Sequence, residues 1–239
     1  AQLPGLRIDT VAGDDVINVI EHAQNLVISG TSTDLAAGST VTVSINGKSY
    51  SASVLADGTW QAAVPAADVS RWEDGSLTIS ASAQDTSGNP VNIGTVVDVD
   101  LAPVAISINS VTDDNVLNAA EKGQDLVLSG SSSNVEAGQT VTIIFAGKTW
   151  TTMVDANGDW TCTVPAADLS GLKDGDASVQ VSVTNVNGNA ASSSQAFSVD
   201  TAAPAVSINT ISGDNMLNAA EAAQDLTLSG TSTAEAGQT

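Results

Sequence analysis

The sequence predicts an all-β chain of tandem two-sheet sandwiches. Three observations carry that prediction: a repeat of 100 residues, an apolar period of two inside each repeat, and turn residues that punctuate the chain at short intervals. Glu21, Glu121 and Glu221 fall 100 residues apart, as do Asn18, Asn118 and Asn218, Trp60 and Trp160, Pro65 and Pro165, and Asp100 and Asp200. The segments GDDVINVIE, DDNVLNAAE and GDNMLNAAE are three copies of one text. The units run 1–101, 102–201 and 202–239, the third stopping after its first two strands.

Within a unit, Val41, Val43 and Ile45 alternate with Thr and Ser, and Leu77, Ile79, Ala81 and Ala83 do so in a later run. Val141, Ile143 and Phe145, then Val179, Val181 and Val183, repeat the pattern in the second unit. Such alternation is the mark of a strand with one buried face. Asn46-Gly47, Asp57-Gly58, Asp74-Gly75 and Gly88-Asn89 separate the runs, with counterparts at Ala146-Gly147, Asn157-Gly158, Asp174-Gly175 and Gly188-Asn189. The strands of the first unit are therefore expected at about 6–11, 25–32, 40–45, 49–55, 59–64, 76–84 and 91–99. About seven strands per hundred residues is the immunoglobulin-like prescription.

Alternating strand direction sorts the loops onto two ends. The far end of the first unit collects the 12–24 loop, the 46–48 turn, the 65–75 loop and the exit from Asp98 to Asp100. The near end of the second collects the chain around Pro103, the 132–139 loop, the 155–159 turn and the 184–190 loop. These two ends must face each other.

Composition narrows the functions. With 27 Asp and Glu against 6 Lys and Arg, the net charge is -21, which repels nucleic-acid phosphates and anionic lipid and makes cations the natural partners. No apolar run is long enough to insert in a membrane. The start, AQLPGLRIDT, lacks the regions of a signal peptide, but the text reads as an excerpt of a longer chain. A single cysteine, Cys162, excludes an intrachain disulfide and a cysteine-based zinc site, and it reads as a small buried hydrophobe. His22 is the sole histidine, and Lys122 and Ala222 replace it in the other copies, so no Ser-His-Asp or Cys-His set can be assembled and no enzyme is expected. Trp60 and Trp160 share a strand face with Val64 and Val164 and read as core anchors. Trp72 and Trp150, opposite Leu172 and Tyr50 in the other unit, read as local packing.

The acidic loops are the candidate chemistry. Asp14, Asp114 and Asp214, each followed by Asp15, Asn115 or Asn215, present carboxylate and amide oxygens close to Asp98, Asp100 and Asp200. Hard oxygen donors in number, without His or Cys, suit Ca²⁺. The competing reading is that these residues serve their own solvated turns. Glu21, with its copies Glu121 and Glu221, has two open roles: ligation, or a capping box with Asn18 three residues earlier. From the facing end, Asn187 and Asn189, with Asn185, add amide or backbone oxygens.

The ordered motifs VDTAAPAVSINTISGDNMLNAAEAAQDLTLSGTST, AGQTVT, NGK, DGTW, VPAADVS and SGN resemble the bacterial Ig-like repeats of giant Gram-negative surface adhesins, of the biofilm-associated and type I-secreted kinds. The resemblance covers essentially the whole chain. It implies a secreted, cell-surface rod of many such domains, exported without a cleaved N-terminal signal and binding Ca²⁺ near its junctions, with Asp14, Asp100, Asp114 and Asp200 at the expected ligand positions. Neighbouring repeats of the same chain are the implied partners, with host-cell or biofilm surface components beyond them. Ala102-Pro103 departs by one residue from the spacing of Ala203-Pro204. Two roles follow: a calcium-stiffened spacer, or a module that itself contacts a host glycan or protein.

Overall fold

The structure is a computed structural model and describes residues 2–234; residue 1 and residues 235–239, the outer ends of the first and third units, lie outside the described residues. The first sandwich is built from β1 (Gly5–Ile8), β2 (Val16–Ile17), β3 (Leu26–Thr33), β4 (Thr40–Ile45), β5 (Lys48–Ser53), β6 (Thr59–Val64), β7 (Gly75–Gln84) and β8 (Pro90–Val99). They form a three-stranded sheet in the order β1-β3-β6 and a five-stranded sheet in the order β2-β8-β7-β4-β5. The second sandwich repeats this with β9 (Ala105–Ile106), β10 (Val116–Asn118), β11 (Leu126–Ser133), β12 (Thr140–Phe145), β13 (Lys148–Met153), β14 (Asp159–Val164), β15 (Gly175–Thr184) and β16 (Ala190–Asp200). Its sheets run β14-β11-β9 and β10-β16-β15-β12-β13. The all-β, immunoglobulin-like fold class is as the periodicity predicts.

Alternation places the core. On β4, Val41, Val43 and Ile45 are buried while their neighbours face outward, and β6 buries Trp60, Ala62 and Val64 the same way. The first core is completed by Ile28, Ile79, Ala81, Val97 and Val99, and the second by Leu128, Ile143, Phe145, Leu169, Val181 and Phe197. Trp60 and Trp160 are 0% and 1% exposed, which makes both rings anchors between the sheets and leaves neither a face for stacking on a ligand. Cys162, 9% exposed, lies in the second core, and burial pushes its thiol pKa up, so it behaves as a hydrophobe. Trp72 is buried in the first core, whereas Trp150 packs only against the edge of the second.

The expected first strand, 6–11, forms only as β1, and a further short strand, β2, lies inside the expected 12–24 loop. β1 pairs antiparallel with β3, and after a tight loop β2 pairs parallel with β8 in the opposite sheet. The loop turns through left-handed backbone at Ala12, Gly13 and Asp15, with φ of 55°, 101° and 63°. A chain that must cross from one sheet to the other cannot stay extended, and the alternation of a short run does not encode that crossing.

The third copy contains β17 (Val206–Ile208) and β18 (Gly230–Ser232), paired antiparallel. The strand expected through Leu226 and Leu228 forms only from residue 230 on. In the complete sandwiches the first half of that strand is held by the tryptophan-bearing strand, Leu26 opposite Val64 and Leu126 opposite Val164. In the third copy, the register with the opening strand is the pairing that forms among the described residues. Val206, Ile208 and Leu228 are accordingly 77%, 74% and 66% exposed.

One repeated corner carries a pH prediction. Lys48 donates to Asp68 and Lys148 to Asp168, and Tyr50 donates to Asp68 Oδ2 at 3.0 Å. The Lys48 ammonium, then the Tyr50 hydroxyl, hold the Asp68 carboxyl below the usual carboxylate range. A group whose folded pKa is depressed adds stability that is fully present above its unfolded value and is lost as pH falls through the folded one. Asp68→Asn should therefore cost melting temperature at pH 7, and the gap to the parent should close below about pH 4. A gap unchanged between pH 7 and pH 3 would contradict the assignment.

Candidate functional site

The acidic loops are built by their own side chains. Asp15 Oδ1 accepts the Val11 N–H at 2.8 Å, and Asp14 Oδ1 accepts the Val16 N–H at 3.0 Å. Asn115 and Asp114 serve Val111 and Val116 at 3.0 and 2.9 Å, and Asn215 and Asp214 serve Ile211 and Met216, each at 2.9 Å. Asp15, Asn115 and Asn215 all sit at φ of 61–63°, a region Asp and Asn tolerate better than other side-chain-bearing residues. The exchange of Asp for Asn at this position is thereby explained: the loop needs an acceptor oxygen and a left-handed backbone, and both residues supply them. In the second copy the Val116 N–H and then the Thr112 hydroxyl hold the Asp114 carboxyl below its ordinary range.

The next turn is a capping box in every copy. Asn18 Oδ1 accepts the N–H groups of Ile20 and Glu21, each at 3.0 Å, while Glu21 Oε2 accepts the Asn18 N–H at 3.1 Å. The same reciprocal set joins Asn118 to Glu121 and Asn218 to Glu221. His22 has a structural task that its sequence position conceals. Its Nε2 lies 2.9 Å from the Trp72 carbonyl, and Lys122 donates to the equivalent Leu172 carbonyl, so two unlike residues tie the same loop to the same corner.

Past β8 the chain leaves the first sandwich under close control. Asp98 Oδ1 accepts the Ser76 hydroxyl at 2.6 Å and its N–H bonds the Asp15 carbonyl at 3.0 Å. The Asp100 N–H bonds the Ile17 carbonyl at 3.0 Å, Asp100 Oδ1 accepts the Ala102 N–H at 3.1 Å, and Asp74 Oδ1 accepts the Leu101 N–H at 2.6 Å. The far end of the second sandwich repeats the corner: Asp200 Oδ1 takes the Ala202 N–H and Asp174 Oδ1 the Thr201 N–H, both at 3.0 Å.

The near end of the second sandwich meets this corner through one loop. Asn187 Nδ2 donates to Asp100 Oδ2 at 2.6 Å, Asn189 Nδ2 donates to the Asp100 carbonyl at 3.0 Å, and Asn189 Oδ1 accepts the Val19 N–H at 2.8 Å. Asn185 and Asn189 are 5% and 4% exposed and are the buried polar residues among those described. Asn185 Oδ1 accepts the N–H groups of Asn187 and Asn189 at 3.1 and 2.9 Å and so shapes the loop. Gly188, at φ 85°, lets the loop come close: a Cβ there would sit 2.8 Å from Asn18 Nδ2. Of the predicted residues, Asp100, Asn187 and Asn189 are brought into direct contact, and Glu21 is attached to the adjoining Asn18. Asp14, Asp15, Asp114, Asn115, Asp214 and Asn215 each commit an oxygen to their own loop. Sequence reasoning passed over Val19, and it read Asn18 only as a cap and Gly188 only as a turn; the recurring Gly-Asn at 88–89 and 188–189 was the available signal.

Among the described residues, no three His, Cys, Asp or Glu side chains gather closely enough to hold a metal ion by themselves. A cation at the joint would rest on the Asp100 carboxylate with amide and main-chain oxygens, a set of hard donors that fits calcium and fits softer metals poorly. Asn187 Nδ2 faces the carboxylate, and a half-turn of that amide exchanges donor for acceptor without changing its shape.

Residues 109–201 match the family described as bacterial Ig-like domain. Among solved structures the chain is similar to a Ca²⁺-stabilized adhesin with which an Antarctic bacterium reaches out and binds ice: identity is 34%, TM-score 0.56, with 98% of this chain and 58% of the other covered. It is likewise similar to a structure bearing on host cell surface retention of a 1.5-MDa bacterial ice-binding adhesin, at 34% identity and TM-score 0.51, covering 97% of this chain and 76% of the other. The chain thus spans 58% of the length of the first of these structures and 76% of the second. No curated protein sequence gives a significant match.

Proposed function

The chain belongs to the bacterial Ig-like repeats of large adhesins, and we propose that its sandwiches form a calcium-stiffened spacer of such a protein, secreted and held at the bacterial cell surface. Repeats of this kind are non-enzymatic structural and binding modules. We take 1–101, 102–201 and 202–239 as successive units whose partners are one another. The observation that carries the reading is the joint, where the linker carboxylate of Asp100 is met by Asn187 and Asn189 of the following sandwich.

Asp100 would be the central ligand, with Glu21 beside Asn18 and the amide oxygens of Asn187 and Asn189 completing the set; Asp14, Asp15 and Asp98 add negative potential from the same end. The far end of the second sandwich carries the matching Asp114, Asn115, Glu121 and Asp200, and the third copy Asp214 and Asn215. Calcium, when bound, supplies the charge that neutralises these carboxylates and ties oxygens of both sandwiches together. The linker from Asp100 to Pro103 is short, so fixing its first residue fixes the angle between the sandwiches. At about 1 mM calcium and a dissociation constant of about 10⁻⁴ to 10⁻³ M, binding contributes roughly 0.4–1.4 kcal/mol per site. That suffices to bias a hinge, and it links stiffness to export from a calcium-poor interior.

Small-angle scattering and melting with and without chelator test the reading. Calcium should lengthen the maximum dimension and raise the melting temperature of the parent, and Asp100→Ala should abolish both changes. A parent unaffected by chelation, with Asp100→Ala behaving identically, would remove calcium from the proposal.

A further inference from the structure

We propose that Asn46 is a site of non-enzymatic modification: in the exposed turn it forms with Gly47, its side-chain amide is expelled as ammonia and residue 46 becomes aspartate or isoaspartate. The inference depends neither on calcium nor on the joint between the sandwiches.

The chain contains three Asn-Gly dipeptides, at 46–47, 157–158 and 187–188. In the reaction the glycine nitrogen loses its proton to water and attacks the asparagine Cγ, closing a cyclic imide. The C–N bond of the side-chain amide breaks, and its nitrogen leaves as ammonia. Water then opens the ring at one carbonyl or the other, giving aspartate or, where the main chain is left running through the former side chain, isoaspartate. Water is the sole co-reactant. The requirements are a glycine N–H that is not already donated, space beside it, and exposure to solvent.

The first dipeptide meets all three. Asn46 and Gly47 are the two exposed residues that join β4 to β5, with φ of 48° and 75°, and the ladder closes on Ile45 opposite Lys48. Among the described residues the Gly47 N–H has no main-chain acceptor, and a Cβ on Gly47 would meet open space. At the second dipeptide the Gly158 N–H donates to the Asp155 carbonyl at 3.2 Å, and a Cβ would lie 2.9 Å from the Ser132 carbonyl oxygen. At the third the Gly188 N–H donates to the Asn185 carbonyl at 3.1 Å, and the Asn187 amide that would have to leave donates to Asp100 Oδ2 at 2.6 Å. The matching hairpin of the second sandwich has Ala146 in place of Asn46, so that turn has no amide to expel.

The products alter the hairpin in two ways. Both place a new carboxylate in the turn beside Lys48, whose ammonium is paired with Asp68. Isoaspartate also adds a methylene to the main chain, so a turn of two residues no longer fits the register of Ile45 with Lys48. β5 is the edge of its sheet and is bonded to β4 alone, so the loosening falls on that edge.

The test holds the full chain at mildly alkaline pH and follows each dipeptide over time by peptide mapping, with a parallel sample in denaturant to remove the influence of the flanking residues. Relative to its rate in denaturant, residue 46 should convert about fivefold or more faster than residues 157 and 187, the factor that one hydrogen bond held on the attacking nitrogen is worth. Isoaspartate should be found at 46, and hydrogen exchange of the β5 amides should quicken as it accumulates. Asn46→Ala, which installs the residue of the second hairpin, should show no mass change in that peptide and no drift in β5 exchange. Conversion at 46 no faster than at 157 and 187 once scaled by the denatured rates, or β5 exchange that drifts equally in Asn46→Ala, would overturn the proposal.

Discussion

Trp160→Ala is expected to destabilise the second sandwich by about 3–5 kcal/mol while the first still melts as in the parent. The ring is 1% exposed and sits on β14, between the two sheets, and its Nε1 donates to the Ser107 carbonyl at 3.1 Å. Its removal leaves a void among close-packed aliphatic side chains and an unpaired carbonyl, and the small aromatic content of the chain offers no neighbouring ring to fill it. The two cores share no residue, so calorimetry should resolve a transition that moves down and one that stays. A single transition lowered as a whole would mean that the joint couples the sandwiches more strongly than its hydrogen bonds account for.

The second large effect is expected at Gly30. A Cβ there would lie 1.9 Å from the Arg7 carbonyl oxygen and 2.4 Å from the Trp60 ring. The first obstacle is backbone, so β1 must move away from β3; the second is the largest side chain in the core. Gly30→Ala should cost about 3 kcal/mol or more, the upper part of what overpacking does, and should expose the Asp9 N–H that bonds Ser29 at 2.9 Å. Gly130 repeats the arrangement, with a Cβ 1.9 Å from the Ser107 carbonyl and 2.7 Å from the Trp160 ring. Gly94 is the control within the same sandwich, because a Cβ there meets only the Ile79 carbonyl at 3.6 Å, an ordinary contact. Gly94→Ala should be near neutral, and equal losses at Gly30 and Gly94 would show that strand propensity, not the close approach to Trp60, sets the cost.

Which residues lie inside was legible in the sequence, because a strand buries every second residue whatever its neighbours are. Val41, Val43, Ile45, Trp60 and their copies 100 residues on could be assigned to the core before any sheet was drawn. The turns were equally legible, since the glycines at 47, 58, 75 and 88 adopt the left-handed backbone that their dipeptides imply. In each of these the determinant is local, carried by one residue and its immediate neighbours.

Tertiary structure decided what depends on a distant partner. The expected 12–24 loop contains a strand because Val16 and Ile17 pair with β8, some eighty residues on, in the other sheet. Asp14 and Asp15 could be read in the sequence either as ligands or as residues serving their own turns, and only the folded loop shows that each gives an oxygen to one of its amides. Asn189 was read as a candidate ligand facing the linker acids, and only the placement of one sandwich against the other reveals that its amide spans the Val19 N–H and the Asp100 carbonyl. Period and turn chemistry are written residue by residue, whereas a hydrogen bond across 170 positions is specified by the geometry of everything between its ends.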